Sequence, residues 1–162
     1  MKTEALFFIW VICLGASVWL LFDGGERDGW AMKRVYDESA DGSKQLTDAL
    51  VVAKKENKRV LLQFGANWCI WCHRLHRFFE TDKAVSRKLR SDFVVVLVDV
   101  NNGHNASITS RYGDVAQSGI PAIAVLDSNG KLIGSASSPD FVENGQYNSK
   151  KILAFLNSCV EK

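Results

Sequence analysis

The chain has 162 residues, of which 47% are apolar and 23% are charged. A chain of this length can bury one sizeable hydrophobic core, so we expect one globular domain with an extension. Its net charge of +2 is small and evenly spread, which argues against a basic surface for nucleic acid, and we expect no nucleic-acid partner.

The N-terminal segment is predicted to enter a membrane. Residues 5–22 carry no charge and are flanked by charged residues on both sides. As a helix they would reach about 27 Å, near the minimum length for crossing a bilayer. The apolar run continues past the small residues at which a signal peptide could be cut, so residues 1–22 are interpreted as an uncleaved anchor in preference to a cleaved signal. Lys2 would stay in the cytoplasm, and the rest of the chain would face an extracytoplasmic, oxidising compartment such as the periplasm.

A linker and a first helix are expected next. Residues 23–42 are Gly-rich and charged, which is typical of a tether. Two aromatic residues in it, Trp30 and Tyr36, are expected either to pack on the domain or to sit at the membrane interface. Ser43 is a candidate N-cap for an amphipathic helix that ends near Asn57, so the folded domain is assigned to residues 43–162.

A buried strand then leads into two closely spaced cysteines. The almost continuous apolar run from Arg59 to Gly65 predicts the strand, and a helix is predicted from Cys69 to Glu80. The start of a helix presents unpaired N–H groups and the positive end of the dipole, which favour the thiolate of Cys69. Cys72 lies one turn later on the same face, where it can attack a mixed disulfide formed at Cys69. The pair can therefore cycle between dithiol and disulfide without another cofactor.

The remainder of the chain alternates between helices and strands. The predicted elements are a helix capped by Thr81 or Asp82, a strand from Phe93 to Val100, a helix from Ser107 to Tyr112, strands at 122–126 and 131–136 joined by a tight turn at 127–130, and a helix at about 149–160. This order predicts an α/β domain in which helices flank both faces of a central mixed β-sheet. Asp99 is interpreted as a polar group at a strand end, Cys13 as an apolar filler and Cys159 as a half-buried, inert residue.

Other interpretations of the cysteine pair are open. A zinc site would need a second pair of ligands, and Cys13 and Cys159 do not form one, so no metal is expected. The sequence Cys-x-x-Cys-His, which ends at His73, is also the c-type haem attachment pattern. A strand that runs straight into the motif argues against haem, yet this haem or metal-binding module is the main alternative. A binding-only chaperone is a third possibility, against which the intact dithiol argues.

Two motifs together resemble the thioredoxin superfamily. Trp68 and the two cysteines follow a buried strand, and Gly119-Ile120-Pro121 introduces another strand some fifty residues later. The resemblance covers roughly residues 43–162. It implies a thioredoxin-like fold with Cys69 as nucleophile and Cys72 as resolving cysteine, and the hydrophobic helix predicted from residues 5–22 would precede this fold. It further implies a cis bond before Pro121 and a groove for an extended peptide lined by Trp68, Trp71, Ile120 and Pro121.

The sequence departs from the best-known pattern of that superfamily. Gln63 stands at the position of its buried acid, and Val95 stands where a lysine often accompanies that acid. The usual proton acceptor for Cys72 is therefore missing, and His73, His76 or a water molecule would have to replace it. Ile70-Trp71 separates the cysteines in place of Gly-Pro. Five residues at 114–118 lengthen the segment before Gly119.

We therefore expect an extracytoplasmic thiol-disulfide oxidoreductase, either anchored through residues 5–22 or secreted. Its clients would be proteins with disulfides or thiols, and a separate redox protein would reset the pair. The resemblance to tethered thiol-disulfide interchange proteins favours a reductase over an oxidase.

Overall fold

A computed structural model describes residues 34–161. The expected membrane segment at residues 5–22 lies outside the described residues. Across the described part of the chain, none of the helices combines the length and the apolar character needed to cross a membrane.

The described residues form an α/β domain. Its main elements in chain order are α1 (Gly42–Glu56), β1 (Arg59–Gly65), α2 (Ile70–Thr81), α3 (Lys83–Asp92), β2 (Phe93–Asp99), α4 (Ala106–Tyr112), β3 (Ala122–Leu126), β4 (Leu132–Ser137), α5 (Ser138–Phe141), β5 (Val142–Glu143), β6 (Gln146–Tyr147) and α6 (Ser149–Val160). Short 3₁₀ turns occupy Asn101–Gly103 and Asp114–Ser118. The predicted α/β class with a mixed central sheet is confirmed.

The central sheet has four strands in the order β2-β1-β3-β4. β1 is parallel to β2 and antiparallel to β3, and β3 is antiparallel to β4. Asp127 closes the predicted hairpin between β3 and β4, because its carboxylate accepts the N–H groups of Asn129 and Lys131. The carboxyl end of β1 therefore lies in the middle of the sheet, directly before the cysteine motif.

Successive side chains of β1 point to opposite faces of the sheet and belong to two hydrophobic cores, one on each face. The first core lies under α1 and α4 and includes Leu46, Val60, Leu62, Phe64, Val98 and Ile108. The second lies under α2, α3 and α6 and includes Leu61, Leu75, Val85, Ile123, Ile152 and Leu156. Helices on both faces thus bury the sheet and hold the start of α2 in a fixed position at the carboxyl end of the central strand β1.

Several local expectations need correction. The N-cap of α1 is Asp41, not Ser43, because the Asp41 carboxylate accepts the N–H groups of Ser43 and Lys44. For α3, Asp82 is the cap, as one of the two predicted candidates. Cys159 was expected to be half-buried, but it packs against the second core and is fully buried. The short helix α5 and the β5–β6 hairpin were not predicted.

The end of the expected tether contacts the domain. Tyr36 is only 2% exposed and packs against the two cysteines of the motif. Tyr36 therefore packs on the domain, which is the first of the two positions expected for it.

Candidate active site

The Cys-x-x-Cys motif lies where β1 ends and α2 begins. Cys69 is the N-cap of α2, and its sulfur accepts the backbone N–H of Cys72 at 3.1 Å. The same N–H also donates to the backbone oxygen of Cys69 at 3.0 Å, so the two acceptors share it. The same donor would stabilise a negative charge on the Cys69 sulfur, as expected for a nucleophile.

The two cysteines form a disulfide across one helical turn. Their Cα atoms are 5.2 Å apart. Cys69 is 6% exposed and Cys72 is completely buried. Cys69 therefore keeps a small surface that an incoming sulfur can contact, whereas Cys72 has none. This asymmetry supports the predicted order of attack, with Cys69 first and Cys72 second.

The loop before β3 lies against the accessible sulfur. The Ile120–Pro121 peptide bond is cis. The carbonyl oxygen of Ile120 lies 3.7 Å from the sulfur of Cys69, and Pro121 is buried beneath it. The tertiary structure thus brings the two distant sequence motifs into contact.

Exposed apolar side chains surround this contact. Trp68 is 66% exposed, and its indole N–H donates to the Asn101 side chain at 2.9 Å. Ile70, also exposed, follows Cys69 directly. The ring of Trp71 packs edge-on against Tyr147 and carries the Arg74 guanidinium on its face, 4.7 Å from the ring centre. The predicted substrate-contacting residues Trp68, Trp71, Ile120 and Pro121 are therefore brought together around Cys69.

Two open cavities lie next to each other, and Trp71 lines both of them. One of about 420 Å³ is lined mainly by apolar and small residues, namely Trp71, Gly119, Ile120, Pro121, Ser138, Pro139 and Val142. The other, of about 750 Å³, is lined by Trp71, Arg74, Arg77, Phe78, Gln146 and Tyr147. The unpredicted β5–β6 hairpin supplies one wall of the second cavity. Together they provide a groove in which a peptide could lie beside the disulfide.

His73 is held by the loop that precedes the motif. Its Nε2 atom lies 2.7 Å from the backbone oxygen of Asn67. A carbonyl oxygen can only accept, so Nε2 carries the proton in this contact and Nδ1 is left as the basic atom of a neutral ring. His76, the other candidate proton acceptor, pairs with Glu80 on the outer face of α2 at 3.3 Å. In this structure His73 is bonded to Asn67, and the two sulfurs of Cys-x-x-Cys-His are bonded to each other.

Behind Cys72, the place of a buried acid is taken by a neutral polar pair. The side-chain amide of Gln63 donates to the Tyr36 hydroxyl at 2.7 Å, and both residues are buried. Burial raises the pKa of Tyr36 well above its ordinary value, while the Gln63 hydrogen bond opposes the shift. The phenol therefore stays protonated. On β2, Val95 is partly exposed and contributes no polar group to this pair.

Asn67 clamps the segment that carries Tyr36. Its side-chain oxygen accepts the N–H groups of Val35 and Tyr36, both at 3.0 Å. Its side-chain nitrogen donates to the Tyr36 carbonyl oxygen at 2.9 Å and to the Glu38 carboxylate at 2.8 Å. A single residue of the strand-to-helix loop therefore fixes residues 35–38 against the motif.

Asp99 is a further buried polar residue near the site. It lies at the end of β2, in register with Gly65. One of its carboxylate oxygens accepts the N–H of Asn101, and the other has no hydrogen-bond partner among residues 34–161. The contact with Asn101 agrees with its interpretation as a strand-end group. In the same part of the chain, no cluster of three or more His, Cys, Asp or Glu side chains is arranged to hold a metal ion.

Sequence reasoning did not identify Asn67 or the role of Tyr36. The residue that could have indicated the role of Tyr36 is Gly65. It has no side chain and lies beside the buried motif, so another part of the chain has to fill the space there. A Cβ at this position would overlap the Tyr36 hydroxyl and lie 3.0 Å from the Cys72 sulfur.

The amino-acid sequence matches a known family. The profile of a family described as thioredoxin-like matches residues 41–128, which is more than half of the chain. A thiol:disulfide interchange protein, DsbD, of Actinobacillus pleuropneumoniae is 30% identical over 94 residues, which cover 57% of this chain and 15% of that protein. The chain therefore spans about a seventh of the length of that curated relative.

Solved structures resemble the domain as well. A disulphide isomerase from Xylella fastidiosa Temecula1 superposes with a TM-score of 0.68 and 33% identity, covering 78% of this chain and 97% of that one. The oxidised C-terminal domain of Neisseria meningitidis DsbD superposes with a TM-score of 0.54 and 21% identity, covering 73% of this chain and 95% of that one. This second likeness concerns the fold alone.

Proposed function

The chain belongs to the thioredoxin-like family of disulfide oxidoreductases, and from this premise we propose that it reduces disulfide bonds of other proteins in an extracytoplasmic compartment. The observation that carries the proposal is the asymmetry of the motif. Cys69 caps α2 and is 6% exposed, whereas Cys72 is completely buried.

The reaction proceeds by two thiol-disulfide exchanges. In the reduced protein, the Cys69 thiolate attacks one sulfur of a client disulfide, and the other client sulfur leaves with the electron pair. Cys72 then attacks the Cys69 sulfur of the mixed disulfide and releases the second client sulfur. The protein is oxidised to the Cys69–Cys72 disulfide while the client gains two electrons and two protons. A separate redox protein of unknown identity reduces the pair again.

The groove around Trp71 and Ile120 suits a client in extended conformation. The apolar surfaces of Trp68, Ile70 and Trp71 offer contacts for side chains of any sequence. Backbone groups near Ile120 offer hydrogen bonds to a peptide strand that lies beside Cys69. These contacts support a broad range of protein clients, with specificity for the disulfide supplied by Cys69.

The compartment and the tether follow from the sequence and belong to the proposal. Residues 5–22 would anchor the chain in the cytoplasmic membrane with the domain on the extracytoplasmic side. Named thiol:disulfide interchange proteins among its relatives are consistent with a reducing role for the domain. Isomerisation of client disulfides is a second candidate, favoured by the 33% identity to a disulphide isomerase.

Trapping of clients tests the order of attack. The Cys72→Ser variant should form mixed disulfides with client proteins that persist on non-reducing gels, because the resolving sulfur is missing. The Cys69→Ser variant is the matched control and should trap none, since the buried Cys72 cannot reach a client. Equal trapping by both variants would contradict the assigned roles.

The direction of the reaction is tested by the equilibrium reduction potential of the Cys69–Cys72 pair. A value near that of thioredoxin, about −270 mV, is expected for a reductase. A value near about −180 mV would favour the isomerase, and one near about −120 mV would indicate an oxidase and overturn the proposed direction.

A further inference from the structure

The hydroxyl group of Tyr36 is bonded to the amide of Gln63 and shares the space beside Gly65 with the sulfur of Cys72. A Cβ placed on Gly65 would overlap this hydroxyl and would stand 3.0 Å from the Cys72 sulfur, so both atoms border the space left by the missing side chain. Tyr36, Cys69 and Cys72 form one small buried cluster. The hydroxyl is thus the polar group that the N-terminal segment brings to the buried side of the disulfide.

The hydrogen-bond pattern leaves the hydroxyl proton available. A tyrosine hydroxyl can donate one hydrogen bond and can also accept. Here it accepts from the Gln63 amide at 2.7 Å, so its own proton can be donated elsewhere. Burial raises the pKa of Tyr36, which keeps that proton on the oxygen. The group is therefore suited to donate a hydrogen bond and unsuited to act as a base.

The position of the hydroxyl is well fixed. Asn67 holds the backbone of Val35 and Tyr36 through three hydrogen bonds of 2.9–3.0 Å, and Gln63 belongs to the central strand β1. Such pre-positioning matters, because a donor that is already in place needs no rearrangement when negative charge appears on its partner.

We propose that Tyr36 is the hydrogen-bond donor that stabilises the thiolate of Cys72 while it attacks the mixed disulfide. The inference rests on the proposed function and assigns to Tyr36 and Gln63 the polar role behind the resolving cysteine. The step converts the thiol of Cys72 and the mixed disulfide on Cys69 into the Cys69–Cys72 disulfide and a client thiol. The Cys72 proton ends on the client sulfur, and Tyr36 keeps its own proton throughout.

Titratable or charged side chains approach this cluster from four parts of the fold. They are Tyr36 and Glu38 in the N-terminal segment, Asp99 at the end of β2, His73 and Arg74 in α2, and Tyr147 in β6. Among them Tyr36 is the one that shares a buried cluster with both cysteines.

Tyr36→Phe in the full chain tests the proposal. Loss of a hydrogen bond to a charged group should raise the pKa of Cys72 by about one unit or more. The tenfold smaller thiolate fraction is partly offset by higher nucleophilicity, so release of a client from Cys69 should slow about threefold near neutral pH. At a pH where Cys72 is fully ionised in both proteins, the variant should be the faster one. This crossing of the two pH profiles would not arise from a purely structural role.

Tyr112→Phe is the matched control. Tyr112 is also buried, and its hydroxyl donates to the backbone oxygen of Gly130, remote from the dithiol. Its removal should leave the pH profile of client release unchanged. If Tyr36→Phe matches the wild-type profile while Cys72→Ser still traps clients, the inference is overturned and the proposed function stands. If Cys72→Ser traps no clients and the wild-type protein reduces none, it is the proposed function that fails.

A second measurement leaves Tyr36 intact. In the Cys69→Ser protein, the ¹³C NMR signals of Cys72 Cβ and Tyr36 Cζ should titrate with the same midpoint, because the phenol responds to the charge that it stabilises. The Tyr112 Cζ signal should not follow. A Tyr36 signal that stays constant while Cys72 ionises would overturn the proposal even if Tyr36→Phe failed to fold.

Discussion

At the scale of single residues, the two sulfurs of the motif differ in their surroundings. The Cys69 sulfur receives a backbone N–H and its residue keeps a small exposed surface, whereas Cys72 is completely buried near the Tyr36 phenol. A backbone donor favours ionisation at Cys69, and burial opposes it at Cys72. The second exchange therefore depends on side chains behind the disulfide more than the first one does.

His73 is one of the candidates, with His76 and a water molecule, that the sequence offers to take the proton from Cys72. With Nε2 donating to Asn67, a neutral His73 offers Nδ1 as the acceptor. His73→Ala should slow disulfide reduction below about pH 8, by about a hundredfold at most, because thiol exchange needs less general-base help than most reactions. The deficit should shrink at higher pH, where the thiols ionise unaided. The measurement is the rate of disulfide reduction against pH.

His76→Ala is the control for this experiment. His76 lies on the same helix and pairs with Glu80 at the surface, so its loss should leave the profile unchanged. An unaltered profile for His73→Ala would remove His73 from the mechanism. A deficit in His76→Ala alone would transfer the role to that residue.

At the scale of elements, the loop between β1 and α2 does more than connect them. It presents Cys69 at the helix start and uses Asn67 to hold both the N-terminal segment and His73. The position of the cysteines follows from local sequence, since an apolar strand and an amphipathic helix border them. The clamp could not be predicted, because it joins Asn67 to residues about thirty positions away in a segment without periodicity.

Asn67→Ala should release the segment around Tyr36. Up to four hydrogen bonds are lost, three of them with backbone groups of Val35 and Tyr36. Bonds of this kind contribute about 1 kcal/mol each, and local opening should therefore become easier by about 1–3 kcal/mol. Native-state hydrogen exchange should show the amides of Val35 and Tyr36 exchanging faster, while those of β1 keep their protection.

Asn101→Ala serves as the comparison. Its side chain accepts from the Trp68 indole and, within residues 34–161, has no hydrogen bond to the segment around Tyr36, so exchange at Val35 should not change. Equal protection of Val35 in Asn67→Ala and in the wild-type protein would show that packing of Tyr36 alone holds the segment.

The elements that sequence patterns missed are the shortest ones. β5 and β6 have two residues each, too few to show the alternation of a strand. The turn between them is Asn144-Gly145, both with positive φ, and this pair is a strong hairpin signal that the sequence did contain. By contrast, β1, β2, α1, α2 and α6 have longer apolar patterns, and their predicted bounds agree with the structure to within one or two residues.

At the scale of the whole molecule, the fold brings together residues that no local pattern connects. Ile120 reaches the Cys69 sulfur because β3 pairs antiparallel with β1, and Tyr36 reaches Cys72 because Gly65 leaves room for it. The first juxtaposition was predictable from the resemblance to the thioredoxin superfamily. The second depends on a glycine and a tyrosine particular to this chain, so it emerged only from the three-dimensional structure.

The stability of the whole domain offers an independent test of the direction of the reaction. Oxidation state and folding are linked. If the disulfide forms more favourably in the folded protein than in the unfolded chain, the oxidised protein must have the larger free energy of unfolding. A strong oxidant such as DsbA shows the opposite order, because its reduced form is the stabilised one. For a reductase, the protein with the Cys69–Cys72 disulfide should therefore unfold at a higher denaturant concentration than the dithiol form. Each 30 mV by which folding lowers the potential corresponds to about 1.4 kcal/mol.

The comparison requires urea unfolding of the same protein in both oxidation states, with the Cys69→Ser, Cys72→Ser double variant as a control that cannot form this disulfide. The control should unfold at one midpoint whether or not a reductant is present, which separates the effect of the disulfide from that of the reductant. Its slope with urea should match that of the wild-type protein, because the surface exposed on unfolding is nearly the same. A dithiol form of the wild-type protein that unfolds at a higher urea concentration than the disulfide form would contradict the proposed reductase. The fold would then stabilise the reduced state, and the protein would tend to oxidise client thiols.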